Sequence, residues 1–95
     1  MRSKEELTKI VLYNFGLMTL EEKENVRLQT EKELDEQLTR LAVILQALEP
    51  KKEWFLQLPE NEALKLAEGI ENAIEFAEEL KILLEIINDV LGNKL

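Results

Sequence analysis

Apolar residues recur through residues 59–91 at alternating steps of four and three: Leu66, Ile70, Ala73, Ala77, Leu80, Leu84, Ile87 and Leu91. That spacing is an a/d seam, and it predicts one long amphipathic helix over the whole segment. At 1.5 Å rise per residue such a helix is roughly 48 Å long. Pro59 opens it, Glu60 and Glu62 stand in its first turn, and Gly92 closes it. A helix of that length with an apolar stripe must lie along something.

A second long helix is predicted over residues 20–48. Thr19 and Glu22 form a capping box at its start, and Pro50 stops it. Its first half is polar, with Val26, Leu28 and Leu34 as the apolar positions between Glu21 and Gln37. Its second half is dense, and Leu34, Leu38, Leu41, Leu45 and Leu48 read as the seam. Leu41 to Leu45 is apolar all round, so more than one face should be covered there.

A short helix is predicted over residues 4–15, opened by the Ser3–Glu6 capping box. Leu7, Ile10, Val11 and Asn14 share one face beside Phe15, while Leu12 and Tyr13 point elsewhere. Gly16 stands where a left-handed C-terminal cap is expected. The connection 49–58 is too apolar for a free loop, since it holds Trp54, Phe55, Leu56 and Leu58. Trp54 and Phe55 read either as a partner hot spot or as a plug against Leu45, Leu48 and Leu64.

Two helices of similar length joined by a short connection pack most simply as an antiparallel hairpin. Gly69, Ala73 and Ala77 leave a flat strip on the 59–91 helix for close approach. The expected architecture is all-α: an elongated hairpin with a short N-terminal helix, a three-helix bundle in one domain over residues 1–95, which dimerises. The dimer expectation comes from the C-terminal half of the 59–91 helix, where Ile82, Leu83, Ile86 and Val90 outnumber the apolar residues available to cover them. Those four residues are the expected apolar docking face.

Composition narrows the chemistry. With 12 Lys and Arg against 20 Asp and Glu, the net charge is −8. Phosphate binding needs basic side chains, so direct nucleic-acid binding is not expected; the charge reads either as solubility alone or as a surface for a basic protein partner. The absence of His and Cys removes the common nucleophile–base pairs, zinc sites and disulfides. The three glycines are isolated, so no phosphate loop exists. No apolar run is long enough for a membrane span. The Met1–Glu6 stretch does not read as a signal peptide, and a cytoplasmic location is expected.

What remains is a row of carboxylates at helical spacing: Glu68, Glu71, Glu75, Glu78 and Glu85. Such a ridge reads as a plain solvated face or as a surface that steers a basic partner. It could also stand in for a nucleic-acid backbone, as in phage-type inhibitors that bind basic proteins. A Mg²⁺-dependent enzyme built on carboxylates is a distant third, because Glu78-Glu79 is followed by Ile82 where paired acidic motifs need a third acid. No cofactor or metal is expected, and no catalytic residue is assigned. The expected function is a small acidic interaction module of adaptor, chaperone, antitoxin or inhibitor type, acting by helical docking on itself or another protein.

Overall fold

A computed structural model describes residues 2–92. Four α-helices follow one another: α1 (Lys4–Phe15), α2 (Leu20–Leu48), α3 (Lys52–Leu56) and α4 (Glu60–Leu91), with a 3₁₀ turn, Glu49–Lys51, before α3. There is no strand among the described residues. The helix starts lie where the capping residues put them. The Ser3 hydroxyl accepts from the Glu6 N–H at 3.2 Å. Thr19 Oγ1 accepts from the Glu22 N–H at 3.2 Å, and Glu22 Oε1 accepts in return from the Thr19 N–H at 3.3 Å. Each bond satisfies a donor that the first helical turn leaves open.

Gly16 is not left-handed. Its φ of −61° and ψ of −19° are ordinary right-handed values. The chain leaves α1 through tightened turns instead: Leu17 N–H donates to the Asn14 carbonyl and Met18 N–H to the Phe15 carbonyl, both at 3.1 Å.

α2 and α4 pack as an antiparallel hairpin measuring 53 × 21 × 18 Å with α1 attached. A radius of gyration of 17.4 Å exceeds the ~12 Å of a compact chain of this length. All eight seam residues of α4, from Leu66 to Leu91, are buried or half-buried. On α2 the seam differs from the sequence expectation. Leu34, Gln37, Leu41, Ile44 and Leu48 face α4, whereas Leu38 and Leu45 are 51% and 52% exposed. Gln37 Nε2 donates to the Ala73 carbonyl at 3.4 Å and ties the two helices at mid-length. In the polar half of α2 the seam continues through Thr30, buried because its hydroxyl donates to the Val26 carbonyl at 2.8 Å.

Ala73 and Ala77 lie under α2, as small residues at a close approach should. Gly69 does not: it is exposed, and a methyl group there would meet nothing within 4 Å. Gly69→Ala should therefore stabilise the fold by about 1 kcal/mol, the helix-propensity difference. An upward shift of the urea midpoint would show it. An unchanged or lower midpoint would mean that something packs on Gly69.

Candidate docking face

α1 decides which apolar residues remain open. Leu7, Val11 and Phe15 follow one another at steps of four, so they form one stripe, and all are buried. They pack on Ile86 and Ile87, each 1% exposed, with Met18, Val26, Ile82, Leu83, Val90 and Leu91 around them. Arg2 Nε meets Glu79 Oε1 at 2.6 Å and pins the N-terminal end of α1. The α1–α2 turn lies at the other end, beside the C-terminus of α4, so α1 runs parallel to α4 from Glu79 to Leu91.

This corrects the expected docking face. Ile86 is core, and Ile82, Leu83 and Val90 are half-buried against it rather than open. The physical reason is length. Twelve helical residues span ~18 Å, which matches the stretch of α4 from Glu79 to Leu91.

α1 leaves the turn end of the hairpin uncovered, and also the side opposite its own: Ile70 and Ile74 stand roughly 120–160° round α4 from Ile86. Upstream of Glu79, α4 has only α2 and the turn beside it. The exposed large apolar residues there are Leu38, Val43, Leu45, Trp54, Leu56, Leu64, Ile74 and Phe76, each at least 41% exposed. Several belong to one surface. Leu45, Leu48, Phe55, Leu56 and Ile70 line an open groove of about 580 Å³, with Glu49 and Lys52 beside them. Leu38 lies two turns before Leu45, and Ile74 one turn after Ile70, so each extends the groove along its helix. Val43 and Phe76 stand two residues, about 200°, round their helices from Leu45 and Ile74 and belong to the opposite side.

The connection plugs the hairpin only in part. Phe55 and Leu58 are half-buried, while Trp54 and Leu56 are 52% and 81% exposed. Trp54 stands one residue from Phe55 of the groove, the chain's only tryptophan.

The acidic row lies along the solvent side of α4. Glu68, Glu71, Glu75, Glu78 and Glu85 are all exposed. None of them joins an ion pair among the described residues; the pairs there are Arg2–Glu79, Arg27–Glu24 and Arg27–Glu31. Among those residues no group of three or more Asp or Glu side chains stands close enough together to hold a metal ion. No described helix is long and apolar enough to cross a membrane.

Sequence reasoning missed Leu38, Leu45, Leu56, Ile70 and Ile74 as a common surface. A 12-residue helix packed on one side of a 32-residue one leaves the other side of it open. No known protein family, curated protein or solved structure matches the chain.

Proposed function

We propose that this chain is a small acidic protein–protein interaction module that acts by helical docking. The observation that carries this reading is the open apolar face at the turn end of the hairpin, formed by Leu38, Leu45, Phe55, Leu56, Ile70 and Ile74. Apolar contact at such a face supplies affinity in proportion to the area removed from water. The groove is shaped by two helices and a turn, so it suits the apolar stripe of another helix, read at positions i, i+3, i+4 and i+7. The exposed carboxylates of α4 act at longer range: they speed encounter with a basic partner and repel acidic ones.

The second reading, an acidic mimic of nucleic acid, is favoured by one observation: the row from Glu68 to Glu85 is exposed and carries no ion-paired cation among the described residues. In that reading the carboxylates supply most of the affinity and the apolar face little.

A lysine-rich amphipathic helical peptide is the probe that separates the two, with Trp54 fluorescence as the reporter. Docking predicts that Leu45→Glu weakens binding at least tenfold, while neutralising Glu71, Glu75 and Glu78 to Gln slows association and flattens the salt dependence. Mimicry predicts the reverse ranking, with binding lost as salt rises. No binding of the peptide at any salt concentration would remove both.

A further inference from the structure

We propose that the open face is covered by the same face of a second copy of this chain, giving a two-fold dimer of hairpins. This rests on the docking reading above and names the occupant. Area is the first argument. The chain exposes 7185 Å², whereas a compact monomer of its 11.1 kDa mass exposes ~5,700 Å². The excess of ~1,500 Å² exceeds the ~800 Å² that each partner gives to a standard interface. The open face lies on the side of the hairpin away from α1, and the turn half of that 53 × 21 Å side is on the order of 550 Å² in projection and larger in accessible area.

No described segment of the same chain can close the face. Residues 16–19 between α1 and α2 span at most ~14 Å when extended. Even with α1 peeled off α4 and laid along α2, Leu7 would reach no farther than ~28 Å from Leu20. Leu45 stands ~38 Å from Leu20.

The face also suits its own image. A two-fold axis along the hairpin lays α2 of each copy over α4 of the other, antiparallel, as in an up-down four-helix bundle. The α2 side offers the large Leu38 and Leu45. The α4 side carries the small Ala63 and Ala67 on the turns before the large Ile70 and Ile74, so a leucine of the other copy near the turn end can meet a gap. The charges at the groove, Glu49 and Lys52, have opposite signs, and an isologous contact can set one against the other.

The test is the molar mass of the full chain by light scattering and sedimentation equilibrium, from low micromolar to hundreds of micromolar, at low and high salt. The expected result is twice the 11.1 kDa chain mass. Salt should tighten the dimer, because each copy carries a net charge of −8 and screening removes the repulsion. Leu45→Glu with Ile74→Glu should return a single-chain mass while the helical circular dichroism stays unchanged. Ile74→Lys alone, at an already exposed position, should raise the dissociation constant at least tenfold and serves if the double variant fails to fold. A single-chain mass at the highest concentration in both salts overturns the proposal, as does a dimer that neither variant weakens. Peptide binding then judges the docking reading separately: a monomer that still takes the lysine-rich helix through Leu45 keeps the face and rejects only the second copy.

Discussion

Ile86→Glu is expected to unfold the end of the molecule where α1, α2 and α4 meet. Ile86 is 1% exposed and sits among Leu7, Val11, Phe15 and Ile87. Truncating such a residue costs 2–5 kcal/mol by lost burial and cavity alone, so ~3 kcal/mol is a fair minimum. A carboxylate in its place adds several kcal/mol of desolvation, since no cation lines that cluster. A domain of this size holds on the order of 5 kcal/mol in all. The variant should therefore lose its cooperative urea transition at pH 7. Leu45→Glu, at a site 52% exposed, should leave the transition of the single chain within about 1 kcal/mol of the parent. The contrast matters because both residues are apolar, and patterning alone makes Ile86 the better candidate for an open surface. Equal stability of the two variants would show that α1 does not cover Ile86.

Phe15→Ala is expected to cost ~3–4 kcal/mol, the range for removing a buried aromatic ring. Phe15 is 4% exposed and is the last of the three side chains that dock α1. Leu7 and Val11 alone remove too little area from water to hold a 12-residue helix, which is marginal on its own in solution. Hydrogen exchange should show it directly: the α1 amides should lose protection while those in the middle of α4 keep theirs. With α1 loose, Leu83 and Val90 come into contact with water, so binding of an apolar dye should rise and the protein should associate as concentration increases. Unchanged protection of α1 would mean that Arg2–Glu79 and the α1–α2 turn hold the helix without the ring.

Most of the helical layout could be read from the chain because its signals are local. Ser3 with Glu6 and Thr19 with Glu22 mark two helix starts, and Pro50 marks a stop. The α4 seam could be read because it repeats over eight positions with little competition. The α2 seam could not. Leu41 to Leu45 is apolar all round, so Leu38–Leu45 and Gln37–Ile44 pass through the same Leu41 and periodicity cannot choose between them. The choice is tertiary: Gln37 finds the Ala73 carbonyl, and a glutamine in the seam costs little once its amide is bonded.

The docking face was misplaced for a related reason. Counting apolar residues at the C-terminal half of α4 shows an excess over the polar half of α2, but the count ignores where α1 lies. Nothing local in residues 4–15 says that they run beside Glu79–Leu91. Once they do, Ile86 becomes core with Ile82, Leu83 and Val90 half-buried around it, and the open surface is instead the one at Ile70 and Ile74, roughly 20 Å back along α4 and on its other side. The acidic row needed no such context, since five glutamates on the back of an amphipathic helix are exposed wherever its apolar face goes.

Thiol reactivity measures the position of the open face most directly, because the chain has no cysteine of its own. Leu45→Cys and Ile86→Cys, each as the sole thiol, would be labelled with a soluble maleimide at high dilution and again at high concentration. At high dilution the thiol at position 45 should react at the rate of a free peptide, and that at position 86 at least a hundredfold more slowly. At high concentration the rate at position 45 should fall as the second copy covers it, with position 86 unchanged. Fast labelling at position 86 and slow labelling at position 45 under dilution would contradict this assignment of core and docking face.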